Sequence, residues 1–463
     1  MLGVITHFLT LIEENKIPYV QWKSNERISL FLEGEGDLDL LFYEENKKEV
    51  EQIFRELNAK KFEAIPVGKY SNIEDYLVLD RVTARIVHFH VHFQLDLGEP
   101  GIKRYNIPWI HEVIGNRIRH ETEPIWTPSY EHELFLLIIR EALRIPPIKA
   151  TLASWKHRIE LKSLGEFTWL KKRVNRQRFE KITRALLGDE AMAVVNIYDE
   201  GLYESSVRKL RHILAPLRKK YRTLSDSGTL ALLLKNKLNN TLKKTLRIFG
   251  IFWPKKRINP REGLVVVVTG SDGSGKSSTI KVINEIFSRK LDVEVIYLGL
   301  PKPEKSRNPI FIKAIYFIKL KRYWNLLVKW VRIRKVFKMK QYGMMVLCDR
   351  FPQAQYPGFM DGPLAANWLF SKNPLKKWFS RVELEIFQSF QSMEIDLVIK
   401  LDIDPQTSHA RGLLPLETAT KKTQIVKDLK FPGAGEIQTI DTVKNNLIEV
   451  VNMMMNNIWE KIK

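Results

Sequence analysis

The sequence predicts an α/β chain: a C-terminal parallel sheet flanked by helices and built behind a glycine loop, joined to an α+β N-terminal domain with a helical middle segment. Three observations predict it. Gly263–Thr269 (GLVVVVT) is a continuous apolar, β-branched run, the mark of a strand buried on both faces. A glycine-rich loop follows, then Ser278–Phe287 with helical periodicity, and strand–helix alternation continues to the end of the chain, as in parallel α/β sheets. Residues 1–125 instead mix short alternating strands with helices, and residues 126–262 read as basic-surfaced helices. The boundaries expected are therefore 1–125, 126–262 and 263–463, with Pro254–Glu262 (PKKRINPRE) as a linker.

Composition narrows the field. At 463 residues the chain is long enough for two or three domains with real cores. One cysteine, Cys348, rules out an internal disulfide framework and fits a reducing compartment, here expected to be the cytoplasm. No apolar run approaches the roughly 20 residues a membrane-crossing helix needs. The N-terminus lacks a basic leader region and meets Glu13 and Glu14 early, so no signal peptide is expected. The net charge of +22 is concentrated. Val207–Pro260 holds 15 basic residues against Asp226, and Pro301–Lys340 holds 13 against Glu304. Such blocks attract phosphates, nucleic acid or anionic lipid, or serve as solvated helix faces.

After the first C-terminal strand comes Gly270-Ser-Asp-Gly-Ser-Gly-Lys-Ser277, a full match to G-x-x-x-x-G-K-[ST] in the strand–loop–helix setting that the motif requires. Gly270, Gly273 and Gly275 let the backbone bend, so that N–H groups from Ser271 and Ser274 through Ser277 and Ser278 can face phosphate oxygens at a helix N-terminus. Lys276 can reach the β- and γ-phosphates and Ser277 can ligate Mg²⁺, which makes ATP and Mg²⁺ the expected cofactors. A carboxylate at the end of a neighbouring strand should share the metal; Met344–Cys348 followed by Asp349-Arg350 supplies it, with a guanidinium suited to phosphate oxygens. The strands ending at Asp402 and Asp441 also place carboxylates at the edge where open parallel sheets bind ligands.

With these residues in hand, Gly263–Lys463 resembles the thymidylate kinase-like group of P-loop nucleoside-monophosphate kinases. The resemblance rests on the Gly270–Ser277 loop, Asp349-Arg350-Phe351-Pro352 (a D-R-[YFH] signature), the strand Asp396–Asp402 followed by Pro405 and Arg411, and Ile440-Asp441. It implies transfer of the ATP γ-phosphoryl group to a phosphate acceptor, with Asp272 contacting the acceptor and Arg350 and Arg411 stabilising the transferring group. Two departures stand out. Tyr297–Pro303 lacks the acceptor-binding arginine of that family, and the lid after Arg411 offers Lys421 and Lys422 in place of arginines. Gln353–Pro363 is similar to a divergent bacterial subgroup met beside surface-polysaccharide functions. In the second basic block, Arg332, Arg334 and Lys335 are candidates for anion contact, while Tyr323, Trp324 and Trp330 either stack on a base or pack as core.

In the N-terminal part, Asp37-Leu-Asp-Leu-Leu41 puts Asp37 and Asp39 on one strand face, about 6–7 Å apart, where they can share divalent cations. Ile86–Asp96 alternates cleanly, with His88, His90 and His92 on one face. With Trp22-Lys-Ser24, this layout resembles nucleotidyltransferase-like domains, whose loop glycine would fall at Ser24 and third carboxylate at His90. The three histidines also admit a zinc reading, although one flat strand lacks the convergence a closed site needs. Ser129–Leu143 is expected as a helix capped by Ser129, ended before Pro146-Pro147 and packed on the N-terminal domain. Lys243–Arg257, alternating basic and bulky apolar residues, could rest on an anionic membrane surface or dock domains.

Two functions follow. One is an ATP·Mg²⁺ phosphotransferase acting on a nucleoside monophosphate or related phosphate or sugar acceptor, fused to a nucleotidyltransferase-like domain. The other is a nucleotide-gated binding protein that associates with nucleic acid or an anionic membrane and polysaccharide-assembly machinery through its basic segments.

Overall fold

The computed structural model describes residues 1–64, 70, 72–146, 159–248, 254–299 and 321–463. The C-terminal end of the basic-apolar stretch Lys243–Trp253 and the segment after Gly299, including the lysines of Pro301–Lys319, lie outside those residues or their described side chains. Packing divides the chain into two units, one of residues 1–80 and 85–253, the other of residues 81–84 and 254–463.

The first unit is built on a five-stranded sheet of β1 (Tyr19–Gln21), β2 (Asp37–Phe42), β3 (Lys60–Phe62), β4 (Ile73–Leu79) and β5 (Ile86–His92), in the order β1-β2-β5-β4-β3. Only the β2–β5 pair is parallel; the other neighbours are antiparallel. Helices α1 (Gly3–Glu14) and α2 (Lys47–Glu56) bury Phe8, Ile12, Val50 and Phe54 on one face of this sheet, against Phe89 and Tyr76. Two short hairpins follow, β6–β7 (Leu95–Leu97, Tyr105–Ile107) and β8–β9 (Arg117–Arg119, Trp126–Pro128).

The middle segment completes this unit. Helix α3 (Tyr130–Leu143) carries the expected cap, Ser129 Oγ accepting from His132 N–H, and is buried on nearly all sides. Its residues share one core with Val20, Trp22 and Leu41 of the sheet region and with α4 (Leu161–Lys171), α5 (Arg176–Leu187), α6 (Ala191–Glu200) and α7 (Glu204–Ile213). A helix buried on nearly every side has to be covered by neighbours on each of them, and here both segments supply the cover, so α3 ties them together. The basic helix α8 (Asp226–Ile248) comes last in the unit.

The second unit is a sheet of β10 (Leu264–Gly270), β11 (Val293–Tyr297), β12 (Met345–Asp349), β13 (Leu397–Asp402) and β14 (Ile437–Asp441), ordered β11-β12-β10-β13-β14 and parallel throughout. Strand β10 is buried along its length, as its β-branched run requires. Around the sheet lie α9 (Lys276–Ser288), α10 (Lys321–Gln341), α11 (Pro374–Gln391), α12 (Pro405–Gly412), α13 (Leu416–Asp428) and α14 (Leu447–Lys461). No helix among the described residues is long and apolar enough to cross a membrane.

Candidate functional site

In the second unit the loop Gly270–Ser277 runs from the C-terminal end of β10 into α9. Gly273 and Gly275 have φ of +81° and +83°, so the loop's bend needs the left-handed backbone that glycine adopts freely. Gly273 is tight as well, since a Cβ there would lie 2.9 Å from Arg411 Cβ. The Lys276 ammonium folds back beneath the loop and donates to Ser271 O at 2.6 Å. Burial, followed by the nearby Arg350 charge, pushes its pKa down to about 8. Ser271 Oγ meets Ser408 Oγ of α12 at 3.2 Å, and Ser408 Oγ donates to Asp272 O at 2.8 Å, so α12 holds the loop's outer side. Ser277 and Ser278 are exposed in the first turn of α9.

Strand β12 lies beside β10 and brings Asp349 to the loop. Ser277 Oγ donates to Asp349 Oδ2 at 3.5 Å, while the buried Asp349 Oδ1 has no hydrogen-bond partner. Burial raises the pKa of this carboxyl. A hydroxyl and a carboxylate with an unsatisfied buried oxygen, next to a phosphate loop, form a donor set that fits Mg²⁺. Arg350 follows in a left-handed conformation, φ +71°, and its guanidinium spans two carboxylates: Asp272 Oδ1 at 3.1 Å and Asp361 Oδ2 at 3.5 Å. Asp272 Oδ2 also takes Lys422 Nζ at 2.5 Å. Burial works against its ionisation, but Lys422 and then Arg350 hold its pKa below the ordinary value.

The other expected residues are placed less centrally. Arg411 is exposed beside the loop, and the lid lysine that reaches Asp272 is Lys422; Lys421 instead lies over the Phe359 ring, 4.1 Å from its centroid. The Asp441 carboxylate accepts from Val443 N–H and Lys444 N–H of its own turn. Arg332 donates to Tyr297 O, Arg334 covers Trp330, and Lys335 pairs with Glu294. Tyr323 packs against Phe379 and Trp368. Sequence reasoning passed over Lys329, which is fully buried and donates to Asp361 O at 2.9 Å. The signal was there: Lys329 occupies the apolar stripe Leu326–Ile333–Val336 of α10, and those three neighbours are buried.

The first unit gathers a second constellation. The β2–β5 register sets Asp37 opposite His88 and Asp39 opposite His90, and the β4–β5 register sets Asp75 opposite His90. Asp39 Oδ1 is surrounded by three nitrogens: Lys23 Nζ at 2.8 Å, His90 Nδ1 at 2.9 Å and His92 Nε2 at 3.4 Å. Despite burial, Lys23 and the two imidazoles hold the Asp39 pKa well below the usual range, whereas burial lowers those of His90 and His92. His88 lies between two carboxylates, Nδ1 2.7 Å from Asp37 and Nε2 2.6 Å from Asp75. Asp37 and Asp39 are therefore not an open acidic pair, and an oxygen-only Mg²⁺ site does not fit this imidazole-rich set. Asp75, the carboxylate that sequence reasoning missed, comes from β4 (IEDYLVL), where it stands beside a second acid, Glu74. Ser24, where the resemblance expects glycine, has φ +61°; its N–H donates to Glu166 on α4, and Asn25 N–H donates to Glu133 on α3.

A parallel sheet whose central strand feeds a phosphate loop, with a carboxylate on the adjoining strand, defines a P-loop nucleotide-binding protein. The chain is 30% identical over 211 residues to "Uncharacterized ATP-binding protein YghS" of Escherichia coli (strain K12), covering 38% of this chain and 85% of that protein. It belongs to that family of ATP-binding proteins. A second relative, "Uncharacterized ATP-binding protein YghR" of the same strain, is 28% identical over 181 residues, 32% of this chain and 68% of its own length. Among solved structures, deoxyadenosine kinase from M.mycoides with bound dATP aligns over 42% of this chain and 98% of its own, at 17% identity and a TM-score of 0.28. No protein-family profile matches the chain.

Proposed function

We propose that the second unit is an ATP- and Mg²⁺-dependent phosphotransferase of thymidylate kinase-like type, working in the cytoplasm on a nucleoside monophosphate or a related phosphate or sugar acceptor. The observation that carries the reading is the arrangement around the loop: Lys276 beneath it, and Ser277 and Asp349 3.5 Å apart at its end. Ser277 and Asp349 would hold the metal, which when bound neutralises phosphate oxygens. Lys276 and the loop bind the triphosphate. Arg350 faces the group in transfer, with Arg411 and Lys422 at the loop's outer side, and Asp272 orients the acceptor. An acceptor oxygen, either an ionised phosphate oxygen or a hydroxyl that releases its proton to solvent, bonds to the γ-phosphorus, the bond to the β–γ bridging oxygen breaks, and ADP leaves. The first unit is read as nucleotidyltransferase-like in fold; its strand order, its Asp-x-Asp strand and the left-handed Ser24 support this.

The test is transfer of label from [γ-³²P]ATP·Mg²⁺ by the full chain to nucleoside monophosphates, sugars and isolated glycolipid. Label in one acceptor class, dependent on Lys276, is the expected result. ATP retention with no transfer to any of them would remove the phosphotransfer reading.

One observation favours a nucleotide-gated binding role instead. Helix α8 leaves Leu234, Leu238 and Leu242 exposed at four-residue spacing, with exposed Lys235 and Lys237 nearby. An apolar stripe flanked by lysines suits an anionic membrane surface. Sedimentation with phosphatidylglycerol vesicles, with and without ATP, tests it; equal recovery with neutral vesicles would exclude it.

A further inference from the structure

The histidine–carboxylate face of the first unit is not used by the phosphotransfer reading, and its chemistry is different. Three side chains from two adjacent parallel strands, Asp39 on β2 and His90 and His92 on β5, bring ligand-capable atoms within 4.8 Å of one another. The pairs that include Asp39 Oδ1 are closer, at 2.9 and 3.4 Å. Ligand atoms around one tetrahedral zinc ion, each roughly 2.0–2.2 Å from the metal, stand roughly 3.3–3.6 Å apart. Small side-chain rotations therefore separate the observed cluster from a coordination shell. A histidine pair at i and i+2 on one strand face shares a direction, and the neighbouring strand supplies the convergence that a single strand lacks.

We infer that Asp39, His90 and His92 form a binding site for one divalent transition-metal ion of the zinc or cobalt type, with a further coordination position left open. The ligand set decides the metal class. Two imidazoles and one carboxylate suit zinc, cobalt, iron or nickel, whereas Mg²⁺ asks for oxygen ligands in an octahedral shell. The site also has a built-in competitor. The Lys23 ammonium sits 2.8 Å from Asp39 Oδ1 and neutralises the carboxylate when no metal does. A metal bound through Oδ1 competes with it, so lysine and metal are rival partners of one oxygen. His88 is excluded from the set because both of its nitrogens face other carboxylates, Asp37 and Asp75. The inference is independent of the phosphotransfer proposal, since it concerns the other unit.

The test is titration of the full chain, chelator-stripped, tag-free and without nucleotide, with Zn²⁺ by calorimetry and with Co²⁺ by visible absorption. One equivalent of each is expected to bind, with Co²⁺ giving the intense bands of low-coordinate geometry, and millimolar Mg²⁺ is expected not to compete. His90→Ala should weaken Zn²⁺ binding by at least about 100-fold, while His7→Ala, an exposed histidine elsewhere, should leave it unchanged. Lys23→Met should tighten binding by about tenfold, since it removes the competing charge. Lys23 and His90 are both partly exposed, so these two variants are expected to fold, and the parent chain needs no substitution at all. No stoichiometric uptake by either the parent or Lys23→Met would overturn the inference. So would uptake that His90→Ala leaves intact, or that millimolar Mg²⁺ abolishes.

Discussion

The two units build their sites from different parts of a sheet. In the second, the chemistry sits at the C-terminal ends of parallel strands: a loop after β10, Asp349 and Arg350 after β12, and α12 and α13 after β13. In the first, it lies on the sheet face, where β2, β4 and β5 carry Asp39, Asp75 and His90 in one cross-strand row. An edge site can use backbone N–H groups and a helix N-terminus, so a few contiguous residues make most of it. A face site uses only side chains, so strand register makes it. Both sites hold a non-glycine residue in left-handed backbone, Ser24 next to Lys23 and Arg350 next to Asp349. Local strain of this kind collects where the surrounding structure over-determines the backbone.

The sharpest way to break the comparison is to strike the edge site. Lys276→Ala should lower ATP turnover on the order of 10²–10³-fold, the usual loss when one preorganised electrostatic group is removed. Circular dichroism should be unchanged, and Zn²⁺ uptake by the first unit should persist. Parent-like turnover would dismiss the loop as the site of chemistry. A smaller effect separates the units by pH. Burial pushes the Lys329 pKa down to about 8 from its ordinary 10.5, against the partial offset of Asp361. Between those values the unfolded chain holds more protons than the folded one, so stability rises with pH. The burial penalty is present in full below pH 8 and is relieved by about 3 kcal/mol towards pH 10.5. In the first unit, burial and then Glu166 raise the pKa of Glu133, which has the opposite sign: that carboxyl costs stability as pH climbs past the ordinary carboxylate range. Denaturant melts of parent and Lys329→Met at pH 8, 9 and 10 would check it, because the variant should lose the alkaline gain.

How much of this was legible in the sequence follows from the same contrast. The loop, strand β10, helix α9 and Asp349 were readable because each is a local pattern whose partner lies at a fixed fold position. The Asp37/Asp39 face and the histidine face were readable too, from two-residue alternation. Their pairing was not, since nothing local says that β5 lies parallel to β2 with Asp39 at His90, or that β4 adds Asp75. The middle segment was legible in part, since the apolar helix Ser129–Leu143 was expected to pack on the N-terminal domain while the helices after it gave no such sign. Basic surface residues dominate the segment's composition, while the burial of α3 against Val20, Trp22 and Leu41 depends on long-range packing. Lys329 and Lys340 were read as members of a charged block, yet both are buried, against Asp361 and Asp396. A charge count does not see which face of a helix a lysine occupies.

Two substitutions in the first unit probe how firmly its loop is held. Ser129→Ala removes the side-chain acceptor at the start of α3 and should cost about 1 kcal/mol in a denaturant melt. The loss should propagate to the loop of Lys23, because Glu133 of the same helix takes Asn25 N–H and its side chain.

The smallest effect expected is at Ser24. Its left-handed backbone costs an L-residue about 1 kcal/mol, which glycine escapes, but glycine gives back roughly 0.5–1 kcal/mol through the greater freedom of the unfolded chain. Ser24→Gly should therefore change stability by less than about 1 kcal/mol, in the stabilising direction. The Ser24 N–H bond to Glu166 at 3.0 Å survives the change, since it belongs to the backbone. Lys23 should then still reach Asp39, and Zn²⁺ affinity should match the parent's. The equivalent change in the other unit, Arg350→Gly, relieves the same strain but deletes the guanidinium between Asp272 and Asp361. A clear loss of stability at Ser24→Gly would mean that the serine hydroxyl, and not the glycine-like backbone, is what the loop requires there.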